Sequence, residues 1–188
     1  ELKVTMPELQ EQFNICRRFT ADLIKQFTET GEHGDEIVKA VQKQLENGIK
    51  FGQLDGAKQE NERYQAKADK MIEAAGMFLF SRQEFETSKQ ALQKKQSELM
   101  TRSTVMAGQT ESAYKLCEQV TNRNKRKKRV DEFVKVLDGY IQATVTTAMI
   151  VGGLNENQRY LNILDEKIRA AGGSKSEAVM LEAYANRG

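Results

Sequence analysis

Residues 47–70 read NGIKFGQLDGAKQENERYQAKADK, and the way the chain passes through them decides how the whole sequence divides. The first half holds Gly48, Gly52 and Gly56. A glycine inside a helix costs about 1 kcal/mol relative to alanine. The expected result is a weak point or kink that closes a pair of N-terminal helices at about residues 7–52. The second half opens a repeat. Every seventh residue from Ala57 is apolar: Ala57, Tyr64, Met71, Phe78, Phe85, Leu92, Leu99, Met106, Ala113 and Val120. A seven-residue repeat returns to one helix face every two turns, which predicts one long helix over about 57–121. At 1.5 Å per residue it would reach about 96 Å.

The second apolar seam of that helix is incomplete. Ala68, Ala75 and Cys117 occupy it near the ends, and Arg82, Lys89, Gln96, Ser103 and Thr110 in the middle. A two-stranded coiled coil fills both seams. The middle is therefore packed by one seam or folded differently from the ends. Gly76 and Gly108 mark the expected bends, Gly108 being the better break because Thr110 and Glu111 suit a helix start.

Outward from this stretch the pattern stays helical. Leu9, Phe13, Cys16, Leu23 and Phe27 follow four-three spacing, and Pro7 suits a first turn. GEHG (31–34) ends that helix, and Asp35 is placed to cap the next, which carries Ile37, Val38, Val41, Leu45 and Ile49. Val130, Val134, Leu137, Ile141, Ile150, Leu154, Leu161, Leu164 and Ile168 predict a C-terminal helix over about 130–171, with Gly152 and Gly153 interrupting it without destroying its phase. AAGGSKSE (170–177) then starts a short tail, 174–188. One proline, no tryptophan and a high content of Lys, Glu, Gln, Ala and Leu agree with helices and disfavour strands. The expected fold class is all-α: a single elongated antiparallel bundle, or coiled coil, of long helices.

Catalytic chemistry finds little to stand on. The single histidine, His33, lies in a glycine-flanked turn and reads as an exposed turn residue. Glu60/Glu62, Glu84/Glu86 and Asp131/Glu132 are spaced so that their side chains diverge on a helix. MIVGGL (149–154) has no lysine or serine after its glycines. Cys16 and Cys117 lack the spacing of a metal or redox site and read as two buried thiols, a disulfide being the lesser alternative. No enzyme activity, cofactor, metal site or small-molecule substrate is expected. Residues 1–10 lack the pattern of a signal peptide, and no run of about 18 apolar residues exists, so a cytoplasmic location is the default expectation. Met6 is a candidate initiator, although the chain reads equally well as a piece of a longer one. YIQATVTTAMIVGGL (140–154) carries no charge. It reads as the core-facing middle of a helix in preference to a segment hidden for membrane insertion.

The remaining feature is RNKRKKRV (123–130). Residues 1–122 and 130–188 are each net −2, so Arg123, Lys125, Arg126, Lys127, Lys128 and Arg129 alone make the chain net +2. Six like charges in seven positions weaken a helix, which predicts a loop or helix junction at 122–129. Its readings are a solvated turn or a candidate anion-binding site, for lipid headgroups before nucleic-acid phosphates. A localisation signal is a further one. The second candidate site is an interaction seam: Tyr64, Met71, Phe78, Phe85, Leu92, Leu99 and Met106. Phe78, Leu79, Phe80 and Phe85 are expected to be exposed and to want a partner, unless they pack on the N-terminal helix. The expected function is a non-enzymatic scaffold or assembly protein that binds a protein partner or itself. The alternative is a membrane-surface or translocator-type protein using 123–129 or 140–154.

Overall fold

The computed structural model describes residues 5–68 and 75–170. Over them the chain forms four helices and no strand: α1 (Met6–Thr30), α2 (Gly34–Ala68), α3 (Ala75–Glu118) and α4 (Arg123–Ala170). The all-helical expectation is met, and the helices pack as a bundle. Pro7 lies in the first turn of α1, and the Glu8 carboxylate accepts the Thr5 N–H at 3.0 Å. Gly31 ends α1 in the left-handed conformation at φ 72°, its N–H donating to the Phe27 carbonyl. Asp35 lies inside the first turn of α2, not ahead of it as its cap.

Side-chain pairs fix the directions. Cys16 meets Asn47 across α1 and α2, Arg63 meets Ser88 across α2 and α3, and Arg82 meets Asp165 across α3 and α4. Consecutive helices thus run antiparallel, and α2 and α4 run parallel. In an up-down bundle such a parallel pair would stand diagonally apart. Here α2 and α4 touch along much of their length, and α4 is the helix against which α2 and α3 both pack most extensively. One core lies at the end where α1 closes the bundle, built from Leu23, Ile24, Phe27, Ile37, Cys117, Val130, Phe133 and Leu137 among others. A second, aromatic core lies at the other end: Tyr64, Phe85, Tyr160, Leu161 and Leu164.

Between the cores sits the stretch that was expected to kink. α2 runs unbroken through Gly48, Gly52 and Gly56. Its buried row is Gln44, Gly48, Gly52, Gly56, Glu60, Tyr64, one residue in every four. A row of that period winds across a helix and does not follow its axis, so α2 meets α4 along an i+4 ridge and not along a heptad seam. The glycines let the two backbones meet. A Cβ built on Gly56 would stand 1.8 Å from the Met149 carbonyl oxygen, and one on Gly152 would stand 1.9 Å from that of Gln53. Each carbonyl oxygen occupies space that a Cβ would need, so only glycine admits it there.

Other boundaries also move. The repeat from Ala57 to Val120 belongs to two helices, because α2 ends at Ala68 and α3 begins at Ala75; Met71 lies outside the described residues, as does the tail 174–188. Gly108 causes no break, and Thr110 donates to the Met106 carbonyl at 2.8 Å inside a continuous α3. The uncharged stretch 140–154 is the middle of α4, with Ile141, Ala143, Ala148, Ile150, Gly152 and Gly153 buried. No described helix is long and apolar enough to cross a membrane.

The glycines at the crossing and the glycine outside it make opposite predictions. Gly56→Ala and Gly152→Ala each force a methyl onto a carbonyl of the facing helix. Urea denaturation should show each losing about 3 kcal/mol or more, at the upper end of overpacking costs. A Cβ on Gly108 meets nothing within 4 Å, so Gly108→Ala should gain about 0.5–1 kcal/mol.

Candidate functional site

The basic run is not a junction. α4 begins at Arg123, so all six cations lie in its first two turns. Asn122 holds the start: its side-chain oxygen accepts the N–H groups of Asn124 at 2.9 Å and Lys125 at 3.2 Å, as an N-cap does. Charge repulsion, the reason for expecting a loop, is relieved by α1. The buried Arg126 donates to the carbonyls of Thr28 and Glu29 at the end of α1, and to that of Thr121. A cation there satisfies carbonyls that α1 leaves unpaired and sits at the negative end of its dipole. Arg123 grips the Glu29 carboxylate with two bonds, of 2.7 and 2.9 Å, and thereby holds that carboxyl below the usual range. Two of the six cations therefore fasten α4 to α1. Lys125, Lys127, Lys128 and Arg129 are exposed and, among the described residues, make no ion pair within 4 Å.

The expected seam is mostly consumed within the chain. Phe85 is fully buried and Tyr64 nearly so, while Phe78 is half-buried against the same core. Of the four aromatic and aliphatic residues expected to be exposed, only Phe80 is, at 48%. Phe78 and Phe85 turn toward α2 and α4, not α1, because the second core closes where α2, α3 and α4 converge, and Leu79 is half-buried. Tyr64 and Tyr160 stack with ring centres 3.7 Å apart, and Phe85 tilts against both. Leu92, Leu99 and Met106 are half-buried, Met106 resting near Gly139 of α4.

A polar knot beside the aromatic core was not foreseen. Asn157 of α4 is fully buried and donates its amide to the Glu60 carboxylate of α2 at 3.0 Å and to the Phe85 carbonyl of α3 at 3.1 Å. Arg63 donates to the same Glu60 oxygen at 2.5 Å and to Ser88 at 2.6 Å, with its guanidinium 4.4 Å from the Phe85 ring centre. The Asn157 Oδ1 and the Arg63 Nε are buried without partners. The Glu60 oxygen that faces the knot is taken by two donors, so the group ties together α2, α3 and α4. The signal that could have found it is the four-residue row: Glu60 stands in line with Gly48, Gly52 and Gly56.

His33 is exposed in the α1–α2 turn at φ 73°, its Nδ1 3.2 Å from Glu36. Cys16 and Cys117 are free and buried. No protein-family model matches the chain, no curated protein matches it, and no solved structure matches it.

Burial also sets a pH limit. It pushes the Cys117 thiol up to about 11 and, with help from Glu156, the Tyr160 hydroxyl up to about 12. Burial, then Glu118, raises Tyr114 as well. In the unfolded chain these groups release their protons sooner, so stability falls as pH rises from about 9 toward 12. At about 1.4 kcal/mol per pKa unit, Cys117 and Tyr160 together should remove about 4 kcal/mol by pH 11. Urea midpoints measured from pH 8 to 11 should fall, and a Cys117→Ala, Tyr160→Phe double variant should fall more gently.

Proposed function

We propose that this chain is a non-enzymatic helical scaffold or assembly component, and that the middle of α3 is the surface it offers to a helical protein partner or to a second copy of itself. The observation that carries this reading is an asymmetry of burial. Between Phe85 and Thr110, α3 runs for more than six turns without one buried side chain. Those turns hold Leu92, Leu99 and Met106, each half-buried, and Met100 and Val105, which are 54% and 56% exposed. Helices in proteins draw most of their stability from an apolar face packed against neighbours. This one leans on α4 with a single seam, and its second seam is the mixed row of Lys89, Gln96 and Ser103. Such a helix suits an elongated coiled-coil-like assembly, in which a further helix covers the open side.

The buried polar groups support the same reading from the other direction. The Glu60 carboxylate is held by Arg63 and Asn157, and Asn157 lies wholly inside the bundle. The chemistry of the interior goes into holding helices in register, and the outer faces of the long helices remain for recognition.

Sedimentation equilibrium across the micromolar range should find a concentration-dependent dimer. Met100→Glu with Val105→Glu should shift it to monomer without loss of helicity by circular dichroism. If the chain is monomeric throughout, a photo-crosslinker placed at Val105 in the native source should capture a helical partner. A monomer with no adduct contradicts the reading.

A further inference from the structure

We propose that Lys125, Lys127, Lys128 and Arg129 form a docking face for an anionic lipid surface. The argument starts from what these cations do to the fold. Cations in the first turns of a helix oppose its dipole, whereas acids there favour it. α1 and α2 follow that rule, with Glu8 in one first turn and Asp35 and Glu36 in the other. α4 reverses it: its first turn has no acid, and the run is entirely basic. Arg126 and Arg123 have structural work, on the end of α1 and on Glu29. The other four have none that the fold supplies. Among the described residues they stand exposed with no ion pair within 4 Å, Lys127 acting on Glu29 only from farther off, where they weaken their own helix. Four unpaired cations held against stability are most simply kept for an anion outside the chain.

The surroundings favour a lipid surface over a nucleic acid. The neighbouring last turn of α3 ends in Glu118, which acts on the buried Cys117 against the charge of Arg129. The aromatic side chains of this end, Phe27, Tyr114 and Phe133, are buried or half-buried and offer no platform for bases. Glu29 is taken up by Arg123, and the exposed Glu118, Asp131 and Glu132 border the face, three carboxylates against its four cations. Polybasic clusters of this size bind anionic headgroups through charge, at about fivefold in affinity per cation.

The test mixes the chain with phosphatidylcholine vesicles, with or without phosphatidylserine, at about 50 mM salt, where such attachment is strongest. Co-sedimentation is expected only with phosphatidylserine, and it should fade as salt is raised. The variant K125S/K127S/K128S/R129Q should bind at least about a hundredfold more weakly, with its thermal midpoint unchanged or higher because the dipole conflict is gone. Arg126→Met is the structural control: it should lower the thermal midpoint and leave vesicle binding within about fivefold. The proposal is overturned if wild type ignores phosphatidylserine, if it binds neutral vesicles equally well, if the fourfold variant binds like wild type, or if duplex DNA at the same salt binds more tightly than the vesicles.

Discussion

The bundle depends on one contact, the close approach of α2 and α4 along Gly48, Gly52, Gly56, Gly152 and Gly153. Each of these residues costs helix stability, together about 5 kcal/mol relative to alanine. What offsets that cost is proximity. With no Cβ in the way, two main chains press together at Gly56 and Gly152. Once α2 and α4 touch, the places left for the others are determined. α1 packs on α2 at one end, and α3 lies along α4. The Glu60–Asn157 bond and the Tyr64–Tyr160 stack sit one and two turns beyond the crossing, on the same ridge. They read as the register lock of a contact that glycine alone would leave free to slide.

The same contact explains what the sequence disclosed and what it hid. Helix as the dominant element was legible in composition and spacing, and so were the end of α1 at Gly31 and the buried state of Cys16 and Cys117. The division of the helices was misread, because a heptad and a four-residue row share positions such as Tyr64. The heptad drew the eye with ten apolar residues, while the row that packs is half glycine. Glycine has two meanings in a helix, a weak point or a place of close approach. Only the facing residues, a hundred positions on at Met149 and Gly152, decide between them.

The basic run was misread for a related reason. Repulsion within RNKRKKRV is visible locally, but its remedy is on α1. Arg126 finds the carbonyls of Thr28 and Glu29 only when the end of α1 is brought beside the start of α4. The fold thus sorts six similar side chains into two that join helices and four that face solvent. It sorts the apolar residues likewise, drawing Phe85 and Tyr64 inward and leaving Met100 and Val105 outside. Those leftovers, cationic at one end and apolar along α3, are where the chain has surface to offer.

The central claim is the parallel, touching pair of α2 and α4, and pairwise distances between spin labels test it most directly. With Cys16 and Cys117 replaced by alanine, labels go on exposed positions in three pairs: Gln42 with Asp138, Gln59 with Asn155, and Gln42 with Asn155. The contact of Gly52 with Ala148 sets the register. A parallel pair makes the first two distances short and offsets the third pair by about 26 Å of helix rise. A short third distance, with the first two long, would mean that α2 and α4 run antiparallel and would contradict the account.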